Sequence, residues 1–172
     1  MKDLYARLAH SPASHLEELL RASASPDLDG IVGWDWAGFN TPATSALLGI
    51  RKFIKVFERG PEGVEGYNLR ASGTSLEEPW VPRGNDRTRS KVGLYAVLPP
   101  LTHPGPYRRA ALIDYGARPD QFWVARMIDD YLVQPDQSED DVLLGKAYLC
   151  FGRARVPAGY FVLERLRPTA PG

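Results

Sequence analysis

The chain holds one cysteine, Cys150, in 172 residues, so no disulfide can form within it and no cysteine-rich metal site can be built. It has no surplus of either charge: 21 Lys plus Arg balance 21 Asp plus Glu. Nucleic-acid binders replace phosphate counterions with a basic excess, so no nucleic-acid partner is expected. No stretch approaches the length of a membrane span, and the N-terminal residues lack the apolar run of a signal peptide, which together point to a cytoplasmic location. The histidines, His10, His15 and His103, have no ligand-like partner two or four positions away. There is no His-Glu-x-x-His pattern, no Gly-x-Ser-x-Gly elbow and no phosphate-cradling glycine loop. Neither a metal nor a cofactor is expected.

Helical signals are also scarce beyond residue 49, and no internal repeat is visible. A parallel α/β sheet needs a helix between successive strands, so that class is excluded. What remains is a chain broken into short pieces by 15 prolines and 16 glycines, as antiparallel all-β architectures require. Strand patterns fall at 31–39, 50–58, 64–71, 92–98, 109–115, 126–134, 142–151 and 159–167, with a hairpin turn at 59–63 and an acidic loop at 134–141. Leu4, Leu8, Leu16, Leu19 and Leu20 give the first thirty residues a helical face that would cover one open end of the sheet. Ser11 before Pro12, or Ser14 with Glu17, would start the helix. Thr41, Pro42 and Gly49 mark a second, two-turn helix across a barrel mouth. Residues 72–91 form a long polar loop anchored by Trp80, of the kind that acts as a lid or binding loop.

Closing the strands into a barrel removes exposed edges. The expected fold is therefore mainly β: an antiparallel barrel of about eight strands over 31–168, with an N-terminal helical segment over 1–30 packed on it. The segment Gly33-Trp34-Asp35-Trp36-Ala37-Gly38, followed by the strand run, resembles the first strand of the calycin group, the lipocalins and fatty-acid-binding proteins. It is also similar to the GXWXG lipocalin-like domains of bacteria, whose late acidic turn and Leu-Leu-Gly strand match Ile128–Tyr131 and Asp140–Gly145. The resemblance implies a calycin-like barrel with a hollow interior and a small hydrophobic ligand.

In a small barrel alternate residues face inward. Strand 50–58 carries a cation on each side, Lys52 on one and Arg51 and Lys55 on the other, so at least one points toward the cavity. A buried cation wants a counter-charge, which suggests a ligand carboxylate held by Lys52 or Lys55. A lysine whose stem follows the wall while its head reaches the rim is the other reading. Arg126 shares a strand face with Asp130, either as a structural pair or as a ligand contact. Asp114 and Tyr115 end a strand, where they serve as base and acid in an enzyme or simply as turn residues. Trp34, Trp36, Tyr67, Tyr95, Tyr131 and Tyr148 supply aromatic walls with hydrogen-bonding tips. Cys150, between Leu149 and Phe151, reads as an inert apolar residue.

Two functions follow as expectations. One is binding of a lipid-like or polyketide-like molecule with one polar end, held by Trp34, Trp36, Lys52, Tyr67, Tyr95, Arg126, Tyr131 and Tyr148. The other is a cofactor-independent isomerase or cyclase in the same cavity, with Asp114, Tyr115 and Asp130 as its catalytic groups. The small ligand is the expected partner, and the oligomeric state is either monomer or homodimer.

Overall fold

Eight strands close on themselves in strict chain order, each antiparallel to the next, and the last pairs with the first. The computed structural model describes residues 2–42, 49–84, 91–103, 105–118 and 123–169. The strands are β1 (Trp34–Asn40), β2 (Lys52–Gly60), β3 (Gly63–Arg70), β4 (Val92–Leu98), β5 (Ala111–Asp114), β6 (Ile128–Val133), β7 (Val142–Phe151) and β8 (Ala154–Pro168). Helices α1 (Asp3–His10) and α2 (Ala13–Ala22), the short α3 (Leu28–Ile31) and a 3-10 turn at Ala125–Met127 complete the described elements. None of these helices is long and apolar enough to cross a membrane.

Strand direction gives the barrel two unlike ends. The closed end is sealed by α3, whose Ile31 enters the barrel, and by Trp36, whose indole N–H donates to the Ile31 carbonyl at 3.1 Å. Above that plug Phe57, Tyr95, Val97, Ile113, Leu132, Leu143 and Leu163 fill the lower interior. The open end receives the C-terminal ends of β1, β3, β5 and β7 and the segments that follow them. The two-turn helix expected between Thr41 and Gly49 falls largely on 43–48, outside the described residues.

The outside of the barrel is also largely dry. Helices α1 and α2 lie against the outer wall of β7 and β8 instead of covering an end as the sequence suggested. Tyr5, Leu8, Leu16 and Leu20 from these helices join Tyr131, Leu144, Tyr148 and Val162 in an outer core. Neither serine starts α2. Its N-cap is Pro12 with no side-chain cap, and the Ser11 hydroxyl instead donates to the Arg7 carbonyl at 2.9 Å.

Glu17 of α2 is the polar centre of this docking. It accepts hydrogen bonds from Tyr107 at 2.9 Å, from Tyr160 at 2.7 Å and from Lys146 at 2.7 Å. Burial alone would raise its carboxyl, but the three donors and the Lys146 charge outweigh burial and bring the pKa down to about 2.

The segment after β3 is strapped to the same outer wall. Trp80 is buried, its indole donates to the Gly38 carbonyl at 3.2 Å, and it meets Tyr5 edge-on at 6.0 Å. An isolated bridge between Ala71 and Pro82 and the Ser72 N–H to Val81 O bond at 2.9 Å fold the strap back on itself. Trp80 is thus the anchor the sequence suggested, but the described part of its loop covers the wall.

Two glycine–phenylalanine pairs shape the upper interior. Gly38 pairs with Phe53 and Gly145 with Phe161, and in each pair the ring lies over the bare glycine backbone. A Cβ at Gly145 would sit 2.0 Å from the Phe161 ring. The two rings meet edge to face at 5.9 Å. Glycine is needed at both positions because no other residue leaves the ring that space.

Candidate functional site

Between the packed lower half and the open end lies a cavity of about 270 Å³. Its walls are mostly apolar, with Phe53, Phe161, Ala147, Val92 and Ile128 among them. Besides Asn40 and Arg70, its polar lining is one hydrogen-bonded cluster of Lys55, Asn68, Tyr115 and Asp130. These come from β2, β3, the residue after β5, and β6, brought together by closure of the barrel.

Inward parity explains the meeting. On β2 the odd residues Phe53, Lys55 and Phe57 face inward, and their cross-strand partners Gly38, Trp36, Arg70, Asn68 and Gly66 share that side. On β6 Asp130 faces inward with Ile128 and Leu132, and it pairs across to Ile113 on one side and Ala147 on the other.

The Tyr115 hydroxyl is the hub. It donates to Asp130 Oδ2 at 3.1 Å and accepts from Lys55 Nζ at 2.8 Å and from Asn68 Nδ2 at 3.1 Å. Lys55 Nζ also lies 3.3 Å from Asp130 Oδ2. Asn68 Oδ1 is buried and makes no hydrogen bond to the protein. Lys55 is 1 % exposed and Asp130 4 %. Four aromatic rings surround the amine, with centroids at 4.4 Å for Tyr95, 5.2 Å for Tyr115, 5.6 Å for Phe161 and 5.9 Å for Phe53. The Tyr95 hydroxyl is taken up by the Val56 carbonyl at 2.8 Å, which fixes that ring beneath the amine.

Burial dominates the electrostatics. It pushes the Lys55 amine down against the pull of Asp130, and it pushes the Asp130 carboxyl up against the pull of Lys55 and Tyr115. Burial and the Asp130 charge push the Tyr115 phenol up. Both members of the Lys55–Asp130 pair therefore move toward their neutral forms. The arrangement offers a nucleophilic or basic nitrogen, an acid and a hydroxyl at one point of an apolar cavity.

The candidates read from sequence divide by the face they occupy. Tyr115 and Asp130 stand in the polar cluster, and Tyr95 lies directly under Lys55. Lys52 points outward and binds the strap, donating to the Ser75 and Glu78 carbonyls at 2.8 and 2.6 Å with its ammonium 3.9 Å from the Trp80 ring. Trp36 belongs to the closed-end plug, and Trp34 lies beside it under Arg165, so neither walls the cavity. Tyr67, Tyr131 and Tyr148 belong to the outer core, where Tyr148 meets Tyr107 hydroxyl to hydroxyl at 3.0 Å. Arg126 is exposed on the 3-10 turn, because the chain is not yet a strand there and the face it was to share with Asp130 does not exist. The Asp114 side chain accepts the N–H groups of Gly116 and Ala117, which is turn chemistry.

Asn68 was not among the candidates. A single asparagine in a strand carries no signal of its own, although its inward parity with Lys55 would have marked it once the register was known. His103 is buried, with its Nε2 3.1 Å from the Ala110 carbonyl, and among the described residues no group of metal-ligating side chains occurs.

Comparison with known proteins gives no match: no family profile, curated protein or solved structure is similar to this chain at a significant level.

Proposed function

We propose that the upper barrel binds a small molecule with an apolar body and one polar end. The observation that carries this reading is a largely apolar cavity with a hydrogen-bonded cluster of buried Lys55, Tyr115 and Asp130 on its wall. A barrel that served only as a scaffold has no use for a lysine, an aspartate and a tyrosine buried beside a void, since each costs solvation that apolar packing would avoid. In this reading Phe53, Phe161 and Ala147 contact the body, and Lys55, Tyr115 and Asn68 meet the polar end. The unsatisfied Asn68 Oδ1 accepts a donor from the ligand.

The test is native mass spectrometry of freshly purified protein, with titration of a fluorescent fatty acid and of hydrocinnamyl alcohol. A co-purified ligand or saturable uptake is expected. Ala147→Phe, which fills the cavity, should abolish uptake while the far-ultraviolet circular dichroism is kept. Gly145→Ala should weaken uptake by pushing the Phe161 ring into the same space. Protein that carries no ligand and takes up neither probe overturns the reading.

A second reading is favoured by the Tyr115–Asp130 contact, which couples an acid to a base within the cavity. There the barrel is a cofactor-independent isomerase or cyclase that moves a proton on a bound hydrophobic intermediate. Asp130→Asn separates the two: loss of turnover with binding retained supports catalysis.

A further inference from the structure

We infer that Lys55 is a nucleophile toward carbonyl compounds, and that the cavity takes an aldehyde or ketone with an apolar body and holds it as an imine on Nζ. This rests on the binding reading above and specifies what the polar end is.

The geometry supplies what imine formation needs. The amine lies on the cavity wall, not at the surface, and the cavity is its approach from solvent. It is 1 % exposed and ringed by aromatic groups, so water does not compete with an incoming carbonyl for its lone pair. Asp130 and Tyr115, at 3.3 and 2.8 Å, are the only groups to which the amine is hydrogen-bonded among the described residues, and both can carry a proton. Asn68 presents an unpaired acceptor beside them for the hydroxyl of the intermediate. The lysines elsewhere differ in kind. Lys52 is tied to backbone carbonyls under the strap and Lys146 to Glu17, while Lys2 and Lys91 are about half exposed.

The step balances without any further reagent. With the pair in its neutral form, the Lys55 lone pair attacks the carbonyl carbon and the C=O π electrons move to oxygen, which takes a proton from Asp130. The nitrogen, now positively charged, returns one of its two protons to the Asp130 carboxylate, leaving a carbinolamine. Asp130 then gives that proton to the carbinolamine hydroxyl, which leaves as water as the C=N bond forms. One amine, one carbonyl and one carboxylic acid become a protonated imine, one water and a carboxylate. The product is a cation facing Asp130 in the place the lysine ammonium would occupy, so the cavity needs no new counter-charge. Tyr115 holds Asp130 through the sequence by donating to Oδ2.

The experiment incubates the full chain with hydrocinnamaldehyde and sodium cyanoborohydride, followed by intact mass and peptide mapping. Hydrocinnamyl alcohol, which has the same body but cannot condense, serves as competitor and as an independent binding probe. The expected result is a saturable reductive adduct on Lys55, at least about tenfold above that on Lys2 or Lys91, since only Lys55 stands where a bound aldehyde is held against it. Excess alcohol should suppress the adduct. Lys55→Met should lose it, and Lys55→Met/Asp130→Asn, which leaves no unpaired buried charge, should lose it while keeping the far-ultraviolet circular dichroism of the folded protein. Alcohol binding without a Lys55 adduct overturns this inference and leaves the binding reading standing. Absence of alcohol binding together with labelling confined to exposed amines overturns both.

Discussion

Lys55 and Asp130 are held by each other, and that dependence has a measurable consequence. Removing one partner of a buried pair strands the other in a medium that cannot solvate its charge. Lys55→Met is expected to cost about 3–5 kcal/mol in urea-induced unfolding near neutral pH. Lys55→Met/Asp130→Leu should recover most of that loss, because neither charge remains to be solvated. A double variant no more stable than Lys55→Met would show that the pair is not coupled. At this scale the sequence was legible in part. It singled out Tyr115, Asp130 and Tyr95, and it posed Lys52 and Lys55 as alternatives, but it could not choose between the two lysines. On β2 the outward Ile54 and Val56 are as buried as the inward Phe53 and Phe57, because the strap and helices keep the outer wall dry. Alternation of polar and apolar residues, which normally marks the solvent side of a strand, is lost there. Tyr67, Tyr131 and Tyr148 were drawn to the cavity for the same reason: an aromatic residue in a strand looks alike whether it faces a void or a helix.

The elements that dry the outer wall can be released separately. Helix α2 is docked through Glu17, and its acid response has a fixed sign. The free carboxyl titrates near 4.5 and the docked one at about 2, so the contribution to stability is whole above 4.5 and is lost as pH falls from there toward 2. Hydrogen exchange of the α2 amides should accelerate across that interval, and Glu17→Gln should remove the acid-dependent part of the change. Lys146, pushed upward by Glu17 and the surrounding tyrosines despite burial, stays charged throughout and adds no second transition at acid or neutral pH. The strap depends instead on Trp80. Trp80→Ala is expected to make residues 71–84 the first site of limited proteolysis, with the barrel strands still resistant; unchanged cleavage would show that Lys52 and the backbone bonds suffice. Element boundaries were legible where turn residues are strong, as at the β2–β3 hairpin and the start of β7. They failed at β8, which begins at Ala154 and not near 159. Pro157 argues against a strand, but the register shift between Ala147 and Tyr148 accommodates it at a bulge.

Across the whole molecule, closure of the sheet was the most legible property, because punctuation by glycine and proline with no intervening helices leaves antiparallel pairing as the way to satisfy the backbone. What stayed hidden was how far the interior is filled. The packed layer of Trp36, Phe57, Tyr95 and Leu163 stops at Lys55, and the cavity lies above it. The barrel is in this sense a yardstick with its zero mark at the amine. A straight-chain guest anchored there lies along the barrel axis with its tail toward the mouth, and each added methylene gains about 0.8 kcal/mol only while it still finds a wall. Affinity along a series of linear alcohols should therefore climb steadily and then flatten abruptly, and the chain length at the break reads the depth of the barrel from the outside.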